Sequence, residues 1–91
     1  MKEIKFFYSA GCPYCRQADK IMEKLIRENP DFSDVKICKI EENENKALAD
    51  SYDYYYVPCL WVGDKKLHEG VPTEQKVKDA FLEALQVNYT K

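Results

Sequence analysis

Nowhere in these 91 residues is there an apolar run of the about 20 residues that a membrane-spanning helix needs. Strong charge of one sign is also missing. The 14 Lys and Arg stand against 16 Asp and Glu, so a net charge of −2 offers no broad field to recruit nucleic acid or an anionic membrane. With 3 Gly and 4 Pro there is no linker or low-complexity segment. A second close cysteine pair, the usual mark of a structural zinc site, is lacking as well: Cys12 and Cys15 are two residues apart, whereas Cys38 and Cys59 stand alone. The opening MKEIKFFYSAG has too short an apolar run for a secretion signal, and Lys5 interrupts it. These absences predict a single domain over residues 1–91, cytoplasmic and monomeric, with no nucleic-acid or membrane partner.

What is present is a sequence of short periodic segments. Ile4 to Tyr8 (IKFFY) is aromatic-rich, is followed by Ser9, Ala10 and Gly11, and reads as a strand. From Pro13 the period changes to helical, with Ala18, Ile21, Met22, Leu25 and Ile26 on one face, and Asn29-Pro30 ends it. Val35 to Ile40 reads as a second strand. The acidic stretch Glu41 to Glu44 reads as a solvated approach to a short helix over Lys46 to Tyr52, with Asn43 as its N-cap. Val57 to Val62 and Lys65 to His68 read as a hairpin turning at Gly63-Asp64. Thr73 caps a last helix with Val77, Ala80, Phe81, Ala84 and Leu85 on one face. The order is β-α-β-α-β-β-α. A helical crossover makes the first two strands parallel, and the last two are antiparallel, so the fold class is α/β with a mixed four-stranded sheet flanked by three helices.

The chemistry concentrates where the period switches. Proline is favoured at the first helical position, so Pro13 makes Cys12 the N-cap. There the free amides of the first turn, those of Tyr14 and Cys15, point at the cap side chain, and the helix dipole adds positive potential. Both favour the thiolate of Cys12. Cys15, one turn further in, is expected to keep its proton until it is needed. A structural staple is a poor use of such a pair, because a loop this short removes little entropy from the unfolded chain, and disulfides are rare in a reducing compartment. Exchange chemistry fits better. Cys12 attacks a substrate disulfide, and Cys15 then displaces the product and closes the Cys12–Cys15 bond.

In its CPYC motif, its element order and its Val57-Pro58 at the start of a later strand, the chain resembles the thioredoxin-fold family, and CPYC in particular resembles glutaredoxins. The resemblance implies a redox-active disulfide, a cis Val57-Pro58 bond facing the cysteines, and a substrate groove lined by Pro13, Tyr14, Val57, Pro58 and Gly70. It implies a thiol–disulfide oxidoreductase that reduces protein or low-molecular-weight disulfides with no bound cofactor and no metal. Its electron donor is either glutathione or a thioredoxin reductase. Ser9 stands where glutaredoxins often have a basic residue, and Glu69-Gly70-Val71-Pro72-Thr73 is closer to a thioredoxin ending. Phe6 occupies the place of the buried acid that thioredoxins usually carry.

Other readings of the same residues stay open. Cys59, next to Pro58, is either a small buried apolar residue or a third redox or metal-binding thiol near the pair; Cys38 reads as core. Cys12, Cys15, Cys59 and one of Cys38 or His68 are candidates for a metal or iron–sulfur site. A non-catalytic binding module with the same fold is a third class. In it the Tyr52, Tyr54, Tyr55, Tyr56 cluster would meet a partner, although at least two of these rings are expected to cover the second helix and sheet edge. His68 reads as a strand-surface residue and Trp61 as a core or sheet-face residue.

Overall fold

β1 (Ile4–Tyr8) alternates its side chains to the two faces of the sheet, and both faces are covered: Ile4 and Phe6 are buried on one, Phe7 on the other. That pattern belongs to a central strand, and the computed structural model, which describes residues 2–86, places it there. The sheet order is β2-β1-β3-β4. β2 (Ile37–Glu41) lies parallel to β1, with Ile4 opposite Ile37 and Tyr8 opposite Glu41. β3 (Cys59–Val62) is antiparallel to β1, with Phe7 opposite Cys59, and β4 (Lys65–Glu69) forms a hairpin with β3. Gly63 in that turn adopts φ +61°, a left-handed conformation that costs glycine little.

The larger core lies on one face. Ile4, Phe6, Leu60 and Val62 of the sheet meet Cys15, Ala18, Met22 and Leu25 of α1 (Pro13–Glu28) and Val77, Ala80, Phe81 and Ala84 of α3 (Glu74–Leu85). Phe32 and Phe81 stack inside it with ring centroids 4.8 Å apart. The other face carries α2 (Lys46–Asp50) over a smaller cluster of Phe7, Ile40, Ala49 and Cys59, with Tyr52, Tyr54 and Trp61 packed at its edge. The expected α/β sandwich with its mixed four-stranded sheet and three helices is therefore present. Of the expected domain, residue 1 and residues 87–91 lie outside the described part.

Several boundaries differ from the sequence reading, each for a local reason. Pro30 ends α1 but also opens a 3₁₀ helix, Pro30–Asp34, that pulls Phe32 and then Val35 into the core, so β2 starts at Ile37 and not at Val35. α2 is shorter than expected and is capped at Asn45, not Asn43, with no side-chain cap bond; Asn43 instead turns its amide to Ser9 and Glu41. β3 starts at Cys59 and not at Val57, directly after Pro58, which has no N–H to give a strand ladder. β4 runs one residue further, to Glu69.

Phe81 has no exposed surface and stacks on Phe32, so Phe81→Ala leaves a cavity at the junction of α3 with the 3₁₀ segment. It is expected to cost about 3–5 kcal/mol of unfolding free energy, measured by denaturant titration.

Candidate functional site

Cys12 is the N-cap of α1, with Pro13 in the first turn. Its backbone is extended (φ −82°, ψ 114°), which turns the sulfur back over the helix start. The amide of Cys15 donates to the Cys12 Sγ at 3.2 Å. Of the two amides expected to reach the cap sulfur, that of Cys15 makes the hydrogen bond. Both cysteines are free thiols here: Cys12 is partly exposed and Cys15 is buried. Burial pushes the Cys15 thiol up to about 12, and its hydrogen bond with Cys12 adds to the rise, while the backbone of Ser9 opposes it. One sulfur is thus presented at the surface to helix amides, and the other is held protonated one turn inside.

A cavity of about 250 Å³ opens beside the pair. Its walls include Phe6, Tyr8 and the loop Ser9–Gly11, together with Cys12, Cys15 and the charged groups Arg16, Asp19 and Lys39. Lys39 Nζ reaches Asp19 Oδ1 at 2.6 Å, so that pair crosses from β2 to α1 along the cavity rim. Phe6 contributes an apolar wall, its ring 5.5 Å from that of Tyr8.

The residues expected to line a substrate groove fall into two groups. Pro13 and Tyr14 are exposed at the start of α1, Tyr14 at 46%. Val57, Pro58 and Gly70 form a separate unit outside the cavity wall. Val57-Pro58 is cis, as the resemblance implied, and the Gly70 amide donates to the Pro58 carbonyl at 2.9 Å. Val57 packs against both core clusters, one of which contains Cys15. Glu69 anchors the loop ahead of it: its carboxylate accepts the amides of Tyr55 and Tyr56 and pairs with Lys66 at 2.8 Å. Lys66 and the Tyr55 amide hold this carboxyl down to about 2.

Of the two readings of Cys59, the small buried apolar residue is the one present. Its β3 position puts it opposite Phe7, in the cluster on the α2 face, whereas Cys15 belongs to the cluster on the α1 and α3 face. Burial pushes the Cys59 thiol up to about 12, with Glu69 adding to the rise. Cys38 packs on the same face as Cys59. A metal set drawn from Cys12, Cys15, Cys59 and Cys38 would have to reach through the sheet, and among the described residues no three His, Cys, Asp or Glu side chains gather as ligands.

His68 is not on the strand surface: it is buried, and its Nε2 lies 2.7 Å from the Gly70 carbonyl oxygen. The acidic run is not wholly solvated either, because Glu41 is only 8% exposed and accepts three backbone amides. Charge patterning alone gives no sign of this, and the only clue in the sequence is that Glu41 directly follows the β-rich run. Of the tyrosines, Tyr52 and Tyr54 pack on Phe7, as expected, whereas Tyr55 and Tyr56 are 85% and 69% exposed.

Comparison with known proteins gives the family. A family model described as a thioredoxin domain matches residues 2–82. A thioredoxin of Methanocaldococcus jannaschii is 31% identical over 84 residues, covering 92% of each chain. A probable thioredoxin of Archaeoglobus fulgidus is 31% identical over 80 residues, covering 86% of this chain and 84% of that one. Among solved structures, a single-site mutant of the thioredoxin from Halobacterium salinarum NRC-1 superposes with a TM-score of 0.65 at 27% identity, over 89% of this chain and 72% of its own. A structure described as a malarial protein superposes at TM-score 0.68 with 15% identity, over 90% of this chain and 94% of its own, and shares the fold. The chain belongs to the thioredoxin domain family. No helix among the described residues is long and apolar enough to cross a membrane.

Two measurements follow from this geometry. Brief alkylation with iodoacetamide near neutral pH is expected to label Cys12 and to leave Cys15 and Cys59 as thiols, since the latter two are buried and pushed up to about 12; peptide mass spectrometry reads the sites. Glu69→Gln is expected to lower Tm modestly, by about 5 °C or less. Because the folded carboxyl is held down to about 2 from an ordinary 4.5, its stabilisation is fully present above pH 4.5 and is lost as pH falls through about 2. The Tm difference between wild type and variant should therefore close over that window.

Proposed function

We propose that this member of the thioredoxin domain family is a thiol–disulfide oxidoreductase that reduces protein or low-molecular-weight disulfides through the Cys12–Cys15 pair. The observation that carries this reading is the asymmetry of the two sulfurs. Cys12 sits at the helix start with the Cys15 amide on its Sγ, and Cys15 is buried and protonated one turn away. The Cys12 thiolate attacks one sulfur of a substrate disulfide. An S–S bond forms to Cys12, the substrate bond breaks, and the departing thiolate takes a proton. Cys15 then loses its proton, attacks the Cys12 sulfur, closes the Cys12–Cys15 disulfide and releases the second substrate thiol. Two electrons have passed to the substrate, and an external reductant restores the dithiol.

Each remaining part has a role in this reading. Tyr14, Val57, Pro58 and Gly70 hold an extended substrate segment beside Cys12, with Pro13 fixing the first turn. No bound prosthetic group is required. For the electron donor, a thioredoxin reductase is favoured over glutathione. Glu69, the carboxylate next to Gly70, is engaged with Tyr55, Tyr56 and Lys66, so it is not free to grip an amino group, and Ser9 brings no positive charge. We place the protein in the cytoplasm, where such a donor keeps the pair reduced.

Cys12→Ser is expected to abolish dithiol-dependent reduction of a protein disulfide such as that of insulin, whereas Cys15→Ser should accumulate mixed disulfides visible on non-reducing gels. Full activity in Cys12→Ser would end the reading. Turnover on one disulfide substrate with a thioredoxin reductase and NADPH should exceed turnover with glutathione and its reductase. The reverse order would reassign the donor.

A further inference from the structure

Glu41 ends β2 across from Tyr8, yet its carboxylate does not face solvent. Its two oxygens are used separately. Oε2 accepts the amide of Ala10 at 2.8 Å, from the loop that leads into Cys12. Oε1 accepts the amides of Asn43 at 2.7 Å and Glu44 at 3.0 Å, from the loop that leads out of β2. The Asn43 amide group lies 3.4 Å from Oε2 and donates to Ser9 Oγ at 3.3 Å, so the two loops are tied together around one carboxylate. The Ala10 amide in particular holds the Glu41 carboxyl below the usual carboxylate range, so it is ionised at neutral pH.

The bond to Ala10 matters because of what lies on the other side of the same peptide group. The Ser9 carbonyl belongs to the Ser9–Ala10 peptide unit, and it accepts the backbone amide of Cys12 at 3.2 Å. A carboxylate on the N–H side of a peptide orients its plane, and a charged acceptor there also polarises the carbonyl and strengthens the bond that the carbonyl accepts. One peptide unit thus links the Glu41 charge to the Cys12 backbone. Gly11, between them, has φ +81°, so the chain makes its turn there and no side chain fixes it. The charged groups around the pair are Arg16 and Asp19 on α1, Lys39 and Glu41 on β2, and Glu42 just beyond it.

We propose that Glu41 is a positioning residue for the nucleophile: by clamping the Ser9–Ala10 peptide it holds Cys12 at the N-cap of α1, and so sets the reactivity of its sulfur. The inference rests on Cys12 being the nucleophile of the reading above. It assigns the control of that sulfur to a side chain on β2, whose hydrogen bonds go to the backbone amides of Ala10, Asn43 and Glu44.

The discriminating substitution is Glu41→Gln. Glutamine has the same size but only one acceptor oxygen, so its NH₂ group must face a backbone donor, either at Ala10 or at Asn43 and Glu44. The experiment follows Cys12 alkylation by iodoacetamide with peptide mass spectrometry near neutral pH, together with ultraviolet thiolate absorbance, far-ultraviolet circular dichroism and Tm. With the circular dichroism native, alkylation should slow clearly and thiolate absorbance should fall. If Tm drops while rate and absorbance of the native protein stay at wild-type values, Glu41 is only a structural tie and the proposal is overturned. Should Glu41→Gln not fold, Glu41→Asp keeps both oxygens on a stem too short to span the two loops. There a clear slowing supports the proposal and a wild-type rate overturns it.

The alkylation assay needs no disulfide substrate, so it separates the two readings. A slowed variant supports the proposal even if the wild type reduces no disulfide, a result that would sink the proposed function alone. An unaltered variant of an active wild type overturns the proposal alone.

Discussion

The amide of Cys15 donating to the sulfur of Cys12 at 3.2 Å is the contact on which the chemistry of this fold turns. It exists because a central strand ends, a glycine turns, and a proline starts a helix within a few residues. A helix start has amides with no partner of their own, and here the nearest acceptor is a sulfur. The same helix buries Cys15, Ala18, Met22 and Leu25 against the sheet, so the packing that holds α1 in place also keeps the second thiol dry and protonated. Replacing any of these parts independently would disturb the others, since one helix supplies the amides, the buried thiol and the core contact.

Two carboxylates act as loop anchors on the two edge strands of the sheet. Glu41, at the end of β2, ties the loop entering α1 to the loop leaving β2. Glu69, at the end of β4, ties the Tyr55-Tyr56 segment ahead of the cis Val57-Pro58 bond, and the Gly70 amide closes on Pro58. Both carboxyls lie below their ordinary range because backbone amides surround them, Lys66 contributing most at Glu69. Loops that leave a sheet cannot satisfy all their amides with neighbouring strands, and an acceptor-only side chain with two oxygens solves that locally. The loop that enters α1 and the loop that precedes the cis Val57-Pro58 bond are thus each fixed by hydrogen bonds to a carboxylate.

The parts of this arrangement written in adjacent residues were legible beforehand. Pro13 after Cys12 announces an N-cap cysteine, Gly63-Asp64 between two apolar runs announces a hairpin, and Thr73 before Val77 announces a capped helix; all three stand in the structure. What was not legible depends on tertiary partners. Glu41 looks like its acidic neighbours until the amide of Ala10 arrives from 31 residues away. His68 alternates as a surface residue should, but it turns to the Gly70 carbonyl and is buried. Cys59 lies beside Pro58 in sequence, and only the antiparallel register with Phe7 shows that it faces away from the redox pair. Pro30 marks the end of a helix in the sequence and in the structure also starts one, since its fixed φ suits a 3₁₀ turn that delivers Phe32 to the core.

The claim that the fold itself makes Cys12 reactive is tested most directly by comparing one reaction in two contexts. The rate of Cys12 alkylation in the folded protein near neutral pH is set against that of the same cysteine in an unstructured peptide with the sequence Tyr8–Lys20. The folded protein should react at least several-fold faster, because only there do helix amides stabilise the anion that attacks. Equal rates, with the protein shown to be folded and reduced, would contradict the account.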